Sequence, residues 1–64
     1  MSKFRIRFAE TQPIIEFIDV VRDEEDDVVY RDNGEVLAEK QENGRWLLSP
    51  AAGQYFGQTG EEVE

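Results

Sequence analysis

Residues 28–48 read VVYRDNGEVLAEKQENGRWLL and contain the two clearest turn signals of the chain, Asn33-Gly34 and Asn43-Gly44. Asn-Gly between runs of β-forming residues is typical of a hairpin with a two-residue type I′ turn, because both central residues of that turn need a positive φ. Two such turns in succession predict a three-stranded antiparallel meander.

A two-residue loop also fixes which residues face each other across each hairpin. The expected pairs include Tyr30 with Leu37 and Gln41 with Trp46. One face of the meander then collects the side chains predicted to form the core, which are Val28, Tyr30, Leu37, Trp46 and Leu48. The opposite, mixed face carries Val29, Arg31, Val36, Ala38, Lys40, Glu42, Arg45 and Leu47. Glu39 falls on the core face, and a β-bulge near it would resolve that conflict.

The residues before the meander predict two more strands. Apolar and polar residues alternate over residues 3–9, with Phe4, Ile6 and Phe8 on one side, as in a half-buried strand. Ile and Val make up more than half of residues 14–22, which favours a second strand after Pro13. A helix from Ile14 to Val21 is the alternative and would make the fold α+β. If both segments are strands, Arg5 and Arg7 are expected to pair with Glu16 or Asp19.

The residues after the meander are less regular. Ser49, Pro50 and Gly53 predict one short helical turn, because serine favours the N-cap and proline the first helical position. Gln54, Tyr55 and Phe56 are a possible last short strand. Residues 57–64 contain two glycines, three acids and one apolar residue, so a disordered acidic tail is predicted at residues 58–64, after a single domain of residues 1–57.

The predicted fold is therefore all-β, a small antiparallel meander of five to six strands curled into a barrel-like sheet. An open flat sheet would leave unpaired edges, whereas closure removes them. Residues 43–50, followed by Tyr55 and Phe56, resemble the end of an SH3-type barrel, and the resemblance covers about a quarter of the chain. It implies barrel architecture alone, because the acidic-aromatic opening of peptide-binding SH3 domains and their tryptophan pair are missing.

The composition argues against catalysis and cofactors. The 64 residues include no cysteine and no histidine, so zinc, iron–sulfur and haem sites lack their usual ligands. No spacing suggests a nucleophile beside a base, and the isolated glycines form no phosphate-binding loop. The acidic run from Asp23 to Asp27 lacks the alternating ligands and central glycine of an EF-hand loop. We therefore expect no enzyme, no cofactor and no metal.

The formal net charge of −8 limits the possible partners. Nucleic acids and anionic membranes are bound through lysine and arginine, so direct binding to either is not expected. No apolar run approaches the roughly 20 residues of a membrane helix, and no signal peptide is evident. The expected location is the cytoplasm.

The leading functional hypothesis is protein–protein interaction by a small accessory or regulatory protein that binds a basic partner surface. Docking would use an acidic face or an unpaired strand edge. Aromatic side chains are common anchors of such interfaces. The candidate binding residues are Asp23, Glu24, Glu25, Asp26, Asp27, Asp32, Glu35, Tyr55 and Phe56.

Two alternatives use the same residues differently. The acids could replace phosphates, so that the protein mimics nucleic acid and inhibits a DNA- or RNA-binding protein, as some phage-encoded inhibitors do. The chain could instead be a structural subunit or a homo-oligomer that associates through open strand edges.

Overall fold

Six strands form a closed antiparallel barrel in the computed structural model, which describes residues 2–64. The strands are β1 (Ser2–Arg7), β2 (Ile15–Asp23), β3 (Val28–Arg31), β4 (Val36–Lys40), β5 (Trp46–Leu48) and β6 (Thr59–Glu62). A 3₁₀ helix, Pro50–Tyr55, connects β5 to β6. The prediction of an all-β barrel is confirmed, and the segment that could have been a helix is strand β2.

The barrel is closed by β6, which pairs with both β1 and β5. Its register places Gly60 opposite Trp46 and Glu62 opposite Ile6. The expectation that residues 58–64 are disordered is therefore wrong, because most of this segment is the closing strand. The last strand also does not lie at Gln54 to Phe56, where the chain forms the end of the 3₁₀ helix. The composition of residues 58–64 does not indicate a strand, because a strand that pairs on both sides is held mainly by its backbone hydrogen bonds.

Gly60 is buried where β6 crosses β1. A Cβ atom on Gly60 would lie 2.8 Å from the carbonyl oxygen of Arg7 and 2.8 Å from Cγ1 of Ile6. Both distances are too short for a carbon atom, and the first involves backbone. The close approach of β6 to β1 therefore requires glycine at this position.

The Asn-Gly hairpins have three-residue loops, so the predicted two-residue type I′ turns are wrong. Gly34 and Gly44 have φ of 90° and 84°, whereas the asparagines before them do not have positive φ. The Gly34 N–H donates to the carbonyl of Arg31 at 2.9 Å, and the Gly44 N–H donates to that of Gln41 at 2.9 Å. This arrangement is a turn followed by a glycine in the left-handed region.

The asparagine side chains explain why the longer loop forms. Oδ1 of Asn33 accepts the backbone N–H of Glu35 at 2.9 Å, and Oδ1 of Asn43 accepts that of Arg45 at 2.9 Å. An asparagine that bonds to the backbone two residues on forms an Asx turn. In both hairpins this local bond accompanies the three-residue loop.

The longer loops change the register beside each turn, and in the first hairpin a bulge restores the predicted register further along the strands. Trp46 pairs with Lys40 and not with Gln41. In the first hairpin Val29 pairs with Ala38 and Tyr30 with Val36, so the residue between them on β4 is an unpaired bulge. That bulge is Leu37, two residues before the predicted position at Glu39.

The bulge and the register together change which side chains enter the core. Leu37 and Ala38 are both buried, and Glu39 is exposed. On β3 the predicted alternation is inverted, because Val29 is buried while Val28 and Tyr30 are only half-buried. Of the predicted core face, Leu37, Trp46 and Leu48 are confirmed. The complete buried core consists of Phe4, Ile6, Val20, Val29, Leu37, Ala38, Trp46, Leu48 and Ala52.

Five aromatic rings form a continuous series from the centre of the barrel to its surface. Trp46 contacts Phe4 edge-on at a centroid distance of 5.1 Å, and Phe4 stacks on Phe17 at 6.4 Å. Phe17 meets Tyr55 at 5.9 Å, and Tyr55 stacks on Phe8 at 5.4 Å. Such contacts add to the stabilisation that comes from apolar burial, so this series links four elements of the barrel and the loop after β1.

Arg22 covers the inner end of this series. Its guanidinium lies 5.8 Å from the ring centre of Phe4 and 5.6 Å from that of Trp46. The same group makes two hydrogen bonds to the carboxylate of Glu62 on β6. Arg22 therefore connects β2 to the closing strand while it shields two core rings.

Replacing Gly60 with alanine should destabilise the barrel. The added methyl group must displace the Arg7 backbone or the Ile6 side chain, which typically costs about 1–3 kcal/mol in a packed interior. Urea unfolding followed by the fluorescence of Trp46 measures the loss. Glu61→Ala, at the exposed neighbouring position, should change stability far less. Equal stabilities of the two variants would contradict the assigned role of Gly60.

Candidate protein-binding surface

The acidic run from Asp23 to Asp27 forms an ordered hairpin loop between β2 and β3. The Asp23 carboxylate accepts the backbone N–H groups of Glu25 at 3.1 Å and Asp26 at 3.2 Å. Asp27 adopts a φ of 53°, and its carbonyl accepts the N–H of Lys40 at 2.9 Å. The loop is thus held by the Asp23 side chain and by one backbone hydrogen bond, while residues 24–27 are exposed to solvent.

None of these hairpin acids takes part in the ion pairs of residues 2–64. Those pairs join Arg5 to Glu16, at 3.6 Å, and Arg22 to Glu62. The first confirms the cross-strand pair expected between Arg5 and Glu16, whereas Arg7 lies opposite Glu61 of β6 and is in neither pair. The negative charge of the hairpin is therefore uncompensated by ion pairs within the described chain.

A second acidic group lies at the other end of β3. Asp32 and Glu35 occupy the turn between β3 and β4 and are exposed. The side-chain amide of Asn33 donates to Oε1 of Glu35 at 3.2 Å. Because β3 spans four residues, about 13 Å of strand separates this turn from the hairpin. The structure thus places the two predicted acidic groups at opposite ends of one strand.

Between them, apolar side chains occupy the outer surface of β2, β3 and β4. Val21, Tyr30 and Val36 are paired in one row across the three strands, and Val28 lies in the next row, between Asp23 and Glu39. Directly paired residues point to the same face of a sheet. Val21 is 52% exposed, while Val28, Tyr30 and Val36 are half-buried.

Ile18 extends this surface along β2. The pairing of β1 with β2 is irregular between Phe17 and Val20, where Asp19 has a φ of 57°. Phe17 and Val20 pack inward on the two sides of this bulge, so Ile18 and Val21 project outward. Ile18 is 60% exposed. We call Ile18, Val21, Val28, Tyr30 and Val36 the outer apolar face.

Most charged residues beside the outer apolar face are carboxylates, although the exposed Lys3 of β1 lies opposite Ile18 and Asp19. Asp19, Asp23 and Glu39 adjoin it within the strands, and the two acidic turns lie at its ends. An apolar centre with a charged rim is the usual anatomy of a protein–protein interface. Exposed apolar clusters of this kind mark interaction sites more often than isolated exposed residues do.

The sequence did not predict this face, because the predicted pattern places the wrong side of β3 in the core. It puts Val28 and Tyr30 in the core and Val36 on a mixed face. The Asx-turn capacity of Asn33, which favours a longer loop, could have predicted that Tyr30 pairs with Val36.

Tyr55 and Phe56 belong to a different surface. Tyr55 is half-buried and lines a groove of about 290 Å³ together with Phe8, Gln12, Pro13, Ile15 and Gln58. Since its ring also packs on Phe17, Tyr55 helps to hold the barrel together. Phe56 follows the 3₁₀ helix and is 61% exposed. The structure does not place either residue on the outer apolar face.

No protein-family model, no curated protein and no solved structure matches this chain. Within residues 2–64, no group of three or more acids is arranged to hold a metal ion. In the same residues, no helix has the length and apolar character needed to cross a membrane.

Asp23→Ala should loosen the acidic hairpin, because two backbone N–H groups lose their acceptor. A hydrogen bond of this kind contributes about 0.5–1.5 kcal/mol. Asp23→Asn retains the Oδ1 acceptor and removes the charge, so it should keep the loop intact. Hydrogen exchange at the Glu25 and Asp26 amides measures the difference. Equal protection in both variants would show that the Asp23 side chain does not order the loop.

Proposed function

We propose that this protein is a non-enzymatic binding protein that docks on a basic surface of a partner protein. The observation that carries the proposal is the outer apolar face with uncompensated acidic groups at both of its ends. The acids would attract and orient the partner, and the apolar side chains would exclude water at the centre of the contact.

The electrostatic part of the proposal depends on which contacts the lysines and arginines of the chain make. Arg5 and Arg22 are in ion pairs, Arg31 and Arg45 donate to backbone carbonyl oxygens, and Lys3, Arg7 and Lys40 are in no ion pair of residues 2–64. The acidic hairpin carries five of the fifteen acids of the chain in succession, and none of the five is in those ion pairs. Complementary charge accelerates association and selects among partners, and its reach is about 8 Å at physiological ionic strength.

The apolar part supplies affinity. Burial of apolar surface contributes roughly 25 cal/mol per Å² before the costs of association are subtracted. Tyr30 lies at the centre of the face, between Val21 and Val36. Tyrosine is enriched among residues that dominate binding energy, because it combines a large apolar ring with a hydrogen-bonding hydroxyl.

Affinity capture from a lysate of the native host tests this proposal. A tagged protein should retain a stoichiometric, basic protein partner at low salt and lose it at high salt. The variant Glu24→Gln, Glu25→Gln, Asp26→Asn and Asp27→Asn should lose that partner as well. It removes four charges but preserves side-chain size, and asparagine tolerates the positive φ of residue 27.

The matched control removes four charges elsewhere, at Glu10, Glu42, Glu61 and Glu64, each replaced by glutamine. All four are exposed and lie outside the ion pairs of the described chain. Equal capture by both variants would contradict the proposal. If the partner proves to bind nucleic acid and duplex DNA displaces the protein from it, the protein acts as a nucleic-acid mimic, the alternative given above.

A further inference from the structure

We infer that the segment of the partner that occupies the outer apolar face is an amphipathic α-helix with lysine and arginine beside its apolar stripe. This inference rests on the proposed function, because it assigns the partner class of the same surface. Three features of the described residues carry it: backbone pairing, dimensions and charge.

The central strand of the face is paired on both sides. β3 is hydrogen-bonded to β2 on one side and to β4 on the other, and each of the six strands has two neighbours. A partner strand therefore cannot pair with β3, in contrast to the edge docking that the sequence suggested. An extended segment laid over the side chains would bury its own N–H and C=O groups without partners, whereas a helix satisfies them internally.

The dimensions of the face match one helix. Neighbouring strands lie about 4.8 Å apart, so β2 to β4 span about 10 Å, which is close to the diameter of an α-helix with its side chains. The length of β3, about 13 Å, corresponds to two to three helical turns. Leucine-like residues on one stripe of such a helix can reach Val21, Tyr30 and Val36 together.

The carboxylates beside the face favour a helix that carries cations on both sides of its apolar stripe. Asp19, Asp23 and Glu39 lie beside the apolar residues, and the acidic hairpin lies at one end. Cations on both sides of the apolar stripe would meet these carboxylates. A second copy of this chain would bring like charges together, and an anionic membrane would be repelled.

Two synthetic peptides of identical leucine and lysine composition test the inference. In the first, leucine recurs at helical spacing; in the second, leucine and lysine alternate as in a strand. Each carries a fluorescent label, and anisotropy gives its Kd for the protein at physiological salt. The helical peptide should bind at least 10-fold more tightly, and far-UV circular dichroism should show that it gains helix when bound.

The double variant Val21→Thr, Val36→Thr locates the contact. Threonine keeps the β-branched shape, so the barrel should stay folded, but it replaces two apolar methyl groups with hydroxyls. Binding of the helical peptide should weaken at least 10-fold. Ile14→Thr, at an exposed apolar residue outside the face, should leave Kd unchanged. Trp46 fluorescence confirms that each variant is folded.

Three results would overturn the inference. The first is equal affinity for the two peptides, the second is binding to neither peptide, and the third is an unchanged Kd in the double variant. The proposed function is tested separately by charge-dependent capture from lysate. A partner lost from the acidic-hairpin variant but unaffected by Val21→Thr and Val36→Thr would uphold that function while overturning the helix.

Discussion

The pairing of β6 with both β1 and β5 is the constraint on which the rest of the structure depends. Without it, β1 and β5 would each present an open edge, and the aromatic core would face solvent on one side. The pairing works only because Gly60 lets the backbone of β6 approach Arg7 and Ile6 closely. Arg22 then ties β2 to the same strand through Glu62. A few backbone contacts therefore determine the shape of the whole domain.

Closure also determines how the protein can meet another molecule. With two neighbours for every strand, the barrel presents mainly side chains to a partner. The inward positions of β2, β3 and β4 are taken by core residues such as Val20 and Val29, so the remaining apolar residues of these strands project outward. The acidic turns at the two ends of β3 follow from the same topology, because each is the connection to a neighbouring strand. Fold and candidate binding surface thus have one origin.

The sequence predicted the features that depend on local chemistry. Alternation identified β1, the content of Ile and Val favoured β2, and Asn-Gly located both hairpins. It could not predict features that depend on how the loops and strands meet in space. The loop length depended on a side-chain bond of Asn33 and Asn43, and one additional loop residue was enough to change the cross-strand register. The strand at Thr59–Glu62 was missed because its stability comes from two neighbouring strands rather than from its own residues.

The order of the strands has a consequence for the synthesis of the chain. The strand that closes the barrel is the last of the six, and its partner β1 is the first. A ribosome must therefore release residues 59–62 before the first strand can acquire its second neighbour. Until then β1 and β5 each have one open edge, and open strand edges favour aggregation. The barrel consequently closes late, and a chain interrupted before Thr59 would keep both edges open.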